Sequence, residues 1–354
     1  MPRQAGWETH KMKTDRKVLL YSAIGALVIA ALIPLFDATL VPVIALLPDQ
    51  GASWYLWKLP DPTWITRLSV WVPYLIHQVV VWYLIYRLNT SKKRIDDSMS
   101  KWNWWLLCVN AVFVAAHFAQ TALFYDGLAQ DVPIWSSQYS VIFMLVMILI
   151  MKNRWRGLFF GRKVRLPKDG VRLTSMSHTY YIAWAATYTF WFHPVVNEWA
   201  HVVGFFYMFL LFIQLSLART KMHTNKYWTL ALEVLVMFHG ASVAFYTQQS
   251  IIWTMFLTGF MTIFIVTQIY GLGLPKWSIR LASAAYLLLS LGLYTLYPSG
   301  SLSTERLSQI YQVSFIPVTE YALVFVVAAA LWAVSLLPPV RAKLHPGESE
   351  PVSR

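Results

Sequence analysis

With 354 residues, 57% of them apolar and only 13% charged, the chain lacks the polar surface of a water-soluble domain, which is about a quarter charged. Its net charge of +13 lies in short connections between long apolar runs, which excludes a nucleic-acid-binding role and fits contact with anionic membrane lipids. The single cysteine, Cys108, sits inside an apolar run and excludes intrachain disulfides and cysteine-based metal motifs.

Apolar runs near the ~20 residues that cross a bilayer predict spans at 18–36, 65–87, 103–125, 136–152, 177–193, 198–218, 227–248, 251–271, 278–297 and 319–337. Backbone polar groups in lipid must be paired within the chain, and no period-two alternation supports a barrel. The expected fold class is therefore all-α: a polytopic integral membrane helical bundle of about ten transmembrane helices, forming a single domain over residues 1–354.

The first run follows a basic stretch, exceeds the length of a signal-peptide apolar region and shows no small-residue cleavage site, so it reads as an uncleaved signal anchor. The connection 37–64 carries Pro42, Pro48, Pro60 and Pro62, and an apolar stretch, Thr39–Leu47, too short to span. Its Trp54, Trp57 and Trp64 suit the headgroup region, where amphipathic rings collect. The second span holds Pro73 as a break and His77 beside Gln78. The third brings His117 and Gln120 toward its second end, with Asp126 just beyond.

The connection 153–176 reads as a basic lipid-facing segment, with a phosphate or coenzyme contact as its sharper alternative. The fifth span closes on Phe192-His193-Pro194, and the sixth opens on Asn197-Glu198-Trp199-Ala200-His201. Asn197 is expected as its N-cap and Glu198 as its first helical residue, where a carboxylate suits the helix dipole. Gln214 of the sixth span and Glu233 of the seventh are expected to face each other. The seventh also holds His239, with Gln248 and Gln249 at its mouth. Residues 298–318 form a Ser-rich connection without a recognisable chemistry.

All but Lys58, Arg67 and Arg306 of the 29 basic residues fall in every second connection or in the tails. Such loops stay cytoplasmic, so both termini are expected inside, in a bacterial-type plasma membrane. Under that map His117, His193, His201, His239, Glu198, Asn197 and Gln120 share one depth, in the outer half.

Ionisable groups within spans are costly and mark function. His117, His201, His239 and Glu198 are the candidate catalytic groups, and Asn197, Gln120 and Gln248 the candidate substrate-binding ones. His117, His193, His201 and His239 could ligate a transition metal; a haem held by two histidines is the lesser alternative. The leading expectation is a membrane-embedded enzyme acting on a lipidic or small apolar substrate. The alternatives are a transporter of an ion or small molecule and a non-catalytic subunit or assembly factor of a membrane complex. The expected partners are membrane lipids, a lipidic or small-molecule ligand, and an oligomer or complex partner, with no nucleic acid. Protease, P-loop, nucleophile-elbow and dinucleotide motifs are absent.

Overall fold

The computed structural model describes residues 13–48, 50, 54–91, 94–246, 252–296 and 313–345. Its helices are α1 (Thr14–Leu40), α2 (Trp64–Ser91), α3 (Lys101–Phe124), α4 (Ile134–Arg156), α5 (Lys168–Phe190), α6 (Trp199–Ser216), α7 (Lys226–Tyr246), α8 (Ile252–Val266), α9 (Lys276–Thr295), α10 (Phe315–Ser335) and the short α11 (Pro338–Leu344). No strand occurs among the described residues, and nine helices there are long and apolar enough to cross a membrane.

Each expected span meets a helix, but the tenth differs in kind. The helix α5 begins at Lys168 instead of 177, and its first half carries Asp169, Arg172, Thr174, Ser175, Ser177 and His178, so it is not among the nine. Neighbours shield it: α5 packs against α2, α4, α6 and α10. Its approach to α10 is tight, because a Cβ on Gly170 would lie 2.7 Å from the Ala328 carbonyl oxygen. Small residues let helices approach this closely in a membrane. The other hub is α6, which packs against α1, α3, α5 and α7 and buries 13 of its 18 residues.

The periphery is inverted relative to a soluble protein. Leu20, Ile24, Leu27 and Leu35 of α1, Leu75 and Val79 of α2, and Leu287 and Leu288 of α9 are exposed, while His77, Asn110, His201, Glu233 and Glu320 are buried. An apolar exterior around a polar interior is the arrangement a lipid solvent selects, and the chain is an integral membrane protein. Pro73 does not interrupt α2, and α1 continues to Leu40 through Pro34, taking up the start of the apolar stretch at Thr39.

The two ends of the bundle differ in charge. At one, Asp97 bridges Lys13 at 2.7 Å and Lys221 at 3.2 Å, Asp15 Oδ2 accepts from the Met222 amide, Lys226 Nζ donates to the Leu272 carbonyl, and His345 pairs with Asp169. The Lys13 ammonium, seconded by Lys221, holds the Asp97 carboxyl below its usual range. The N-terminal start and the connections before α3, α5, α7 and α9 thus gather at this basic end. At the opposite end the connections before α2, α4 and α6 are tied together: the Leu59 amide donates to Gln130 Oε1 at 3.1 Å, Arg67 pairs with Asp131 at 3.0 Å, and the Val195 amide donates to Thr121 Oγ1 at 3.0 Å.

Candidate functional site

The histidine-bearing end is built where α3, α5, α6 and α7 converge. His117 on α3 points its Nε2 at the His193 carbonyl oxygen, 2.9 Å away. Only a protonated nitrogen can make that bond, so Nε2 carries the hydrogen and Nδ1 is a bare lone pair; that Nδ1 has no partner. Gln120, one turn along α3, neighbours His117 but spends its amide nitrogen on Ser69 Oγ and the Asp126 carbonyl, both at 3.2 Å. It braces the connection after α3.

His193 lies in the connection that leads into α6, and its ring centroid is 4.6 Å from that of His201. His201 is 4% exposed, and neither of its nitrogens has a hydrogen-bond partner. His239 on α7 lies near the Ala200 carbonyl and crowds against Gly204, where a Cβ would meet its Cε1 at 2.6 Å. Only a glycine on α6 admits the imidazole at that place.

Aromatic rings from the connection before α2 cover this group. Trp57 lies 3.9 Å from His201 and 5.4 Å from His193, and Tyr55 stacks on His193 at 5.4 Å. Trp57 and Tyr55 are buried. This corrects the headgroup expectation for Trp57: its ring is a roof over the histidines, pinned by the bond between Leu59 and Gln130.

Asn197 does not cap α6. The N-cap is Glu198, which makes no capping bond, and Asn197 precedes it, exposed. Glu198 instead lies beside Tyr246 at the end of α7. Gln248 and Gln249 lie outside the described residues, as do 297–312 of the Ser-rich connection. Gln214 and Glu233 do not meet. Gln214 accepts from Trp228 Nε1 at 2.6 Å, whereas Glu233 is paired with Arg156 of α4. Among the described residues no group of three or more His, Cys, Asp or Glu side chains is disposed to hold a metal ion.

His77 has a different character. Trp191 Nε1 donates to its Nδ1 at 3.2 Å, so Nε2 carries the hydrogen and donates to Asn110 Oδ1 at 2.9 Å. Both nitrogens are satisfied, and the residue joins α2, α3 and the end of α5. Glu320 on α10 was not singled out by the sequence; it is 2% exposed, with both carboxylate oxygens unpartnered. Two grooves, of ≈ 610 Å³ beside Tyr286 and Tyr294 and ≈ 540 Å³ beside Trp82 and Trp184, contain none of the candidate histidines.

Asp126 couples the site's rim to pH. Its Oδ1 accepts from the Gly127 amide at 2.8 Å, and Oδ2 is buried without a partner. Burial pushes its carboxyl up to about 6, with Asp131 adding to the rise and Gly127, Thr66 and Arg67 opposing it. The unfolded carboxyl titrates near 4. The folded chain therefore binds this proton more tightly, and stability should fall as pH rises from about 4 to about 6, then level off. Thermal midpoints measured across that window should show the slope, and Asp126→Asn should flatten it. An unchanged slope in the variant would assign the effect to other groups.

No protein-family model matches the chain, and neither the curated proteins nor the solved structures offer a match to it.

Proposed function

We propose that the protein is a membrane-embedded enzyme acting on a lipidic or small apolar substrate, with His201 as its acid–base group. The observation that carries this reading is the pair of unpartnered nitrogens on a buried imidazole. A neutral imidazole offers one donor and one acceptor, so it can give a proton at one nitrogen and take one at the other. Leaving both unpaired in a packed interior costs about 1–3 kcal/mol each, which a purely structural residue has no reason to bear. His193 lies beside it at 4.6 Å between ring centroids, His239 offers a further unpartnered Nδ1, and Glu198, beside Tyr246, precedes α6 next to Asn197. The aromatic roof excludes water, which strengthens every polar contact to a reacting group.

The test uses purified protein in nanodiscs of native lipid extract, followed by mass spectrometry of the lipids and added apolar metabolites. A species that changes with time should do so about 10²–10⁴-fold more slowly in His201→Gln. Glu198→Gln should also be slowed, and the double variant should be scarcely worse than either single, because members of one unit fail together. Turnover in His201→Gln within a few-fold of wild type would remove His201 from the chemistry.

The orientation belongs to the same proposal. Loops rich in Lys and Arg are retained in the cytoplasm, so the basic end and both termini face inward and the histidine end outward, in a bacterial-type plasma membrane. Single cysteines introduced at the exposed Lys163 and at the exposed Asp61 should label from the inside and the outside respectively, with Cys108 replaced beforehand. External labelling at residue 163 would reverse the map.

A further inference from the structure

A second unpaired ionisable group sits on α10, which packs against α4, α5 and α8. Glu320 is 2% exposed, and both of its carboxyl oxygens are buried without a hydrogen-bond partner. One turn before it, Ile316 meets Gly259 of α8, where a Cβ would lie 2.8 Å from the Ile316 Cβ. One turn after it, Val324 joins Leu145, Val146 and Leu149 of α4 and Ile263 of α8 in an apolar cluster. The carboxyl group is therefore set into hydrocarbon. A lone carboxylate is untenable in such surroundings, so the place suits only the neutral acid or an acid given a counter-ion.

Beside Glu320 runs the groove of ≈ 610 Å³ between α8, α9 and α10, whose α10 wall includes Pro317 and Tyr321. Pro317 precedes Glu320 by three residues, on the same face, and helical side chains lean toward the preceding turn. The Glu320 carboxyl thus stands against that wall. Tyr286, Tyr294 and Tyr321 line the groove, and their hydroxyls are already bonded, to Thr262 at 2.6 Å, Thr258 at 3.2 Å and Thr267 at 2.6 Å. Aromatic rings attract cations over their faces. Ser290 lines the groove as well, and its Oγ is buried without a partner. Among the described residues no basic side chain lines it. Leu287, Leu291 and Val318 belong to the lining and are exposed, so the groove opens toward the surrounding acyl chains.

We propose that this groove binds a lipophilic cation, which enters from the bilayer and exchanges for the Glu320 proton. In the exchange the carboxylic O–H bond breaks, its proton passes to solvent, and the carboxylate left behind pairs with the cation. One positive charge arrives and one leaves, so the interior gains no net charge. The cation supplies the counter-ion that the chain withholds from Glu320, and the tyrosine rings and the Ser290 oxygen add attraction. Charge selects this occupant over others. An acyl chain would leave the carboxyl and the Ser290 hydroxyl unpaired, and an anion would meet no basic side chain. The site is separate from the histidine group and does not depend on the enzyme reading.

The experiment uses the full chain in nanodiscs, with N,N′-dicyclohexylcarbodiimide as a lipid-soluble reagent for protonated carboxyls and tetraphenylphosphonium as the cation. Peptide mass spectrometry should place the carbodiimide adduct on Glu320. Tetraphenylphosphonium should slow that labelling, and each cation bound should release one proton, read with an indicator in weak buffer. Glu320→Gln should keep the thermal midpoint, because the oxygens it alters have no partners, and should weaken cation binding on the order of tenfold or more. Absence of the adduct would show a carboxylate with a partner and overturn the proposal. Labelling at one rate with and without the cation would assign the groove to acyl chains and sink it too. Equal cation binding in Glu320→Gln, or binding without proton release, would remove the exchange. Labelling and its protection are read on the unaltered chain, so they decide the matter even where Glu320→Gln folds poorly. None of these readouts involves turnover or the histidines, so failure here and failure of the enzyme reading are told apart.

Discussion

Glu233→Ala should be among the most damaging single substitutions in the chain, costing about 3–5 kcal/mol of stability, because it leaves the Arg156 guanidinium buried without its counter-ion. Both partners are almost wholly enclosed, at 6% and 2% side-chain exposure, so solvent screens little of the loss. Arg156→Ala should cost a comparable amount for the mirrored reason. The double change Arg156→Met with Glu233→Leu should recover most of it, since two apolar side chains of similar volume remove both desolvation penalties together. Lys152 sits at the end of α4 and can extend its ammonium toward the basic surface once Glu233 is gone. Thermal unfolding of the four proteins in one lipid gives the result as a thermodynamic cycle. A loss below about 1 kcal/mol in Glu233→Ala would mean that the pair behaves as an exposed ion pair does.

The spans were legible because lipid imposes a length and a composition on each, and because basic residues mark alternate connections. The limits of that legibility have physical causes. The start of α5 was placed nine residues late, since a helix shielded by four others can carry Arg172, Thr174 and Ser175 without an apolar signal. The capping assignment at Asn197 failed by one residue because local preference for an N-cap does not register how α6 joins His193 and Val195. Trp57 was read as an interfacial ring, and nothing in its neighbourhood along the chain separates a tryptophan resting on lipid from one folded over helix ends 140 residues away. The four histidines were named from their shared depth at the outer ends of apolar spans. Their relation to Trp57, to Gly204 and to one another depends on helix rotations that a sequence with such weak amphipathicity does not encode: in a membrane both faces of a helix are apolar, and the periodicity that orients a soluble helix fades. Arg156 was placed in a basic connection for the same reason, although it closes α4 facing inward onto Glu233.

The same substitution at two buried histidines should have opposite signs. His201→Leu removes two nitrogens that have no partner, at a site 4% exposed. Leucine is apolar and close enough in volume to fill the place beneath Trp57, so the folded state should gain about 1–3 kcal/mol for each nitrogen removed and the thermal midpoint should rise. Activity should be abolished, the usual exchange when a residue is kept for its chemistry at the expense of stability. His77→Leu should do the reverse. There the substitution strands Trp191 Nε1 and Asn110 Oδ1, which now bond the ring at 3.2 and 2.9 Å, in a place with no access to water. Two stranded groups cost about 1–3 kcal/mol each, so the midpoint should fall. Activity measured below that midpoint should largely survive, because His77 touches none of the candidate site residues through its nitrogens. The comparison is internal: same lipid, same assay, same atoms deleted. If both variants lose stability to a similar extent, His201 has partners in the native membrane that make it structural, and the acid–base role falls. If His201→Leu is the more stable protein and the inactive one, then the bundle maintains an unpaired imidazole under Trp57 at the expense of its own stability, and the proton it can give or take is what the site is built around.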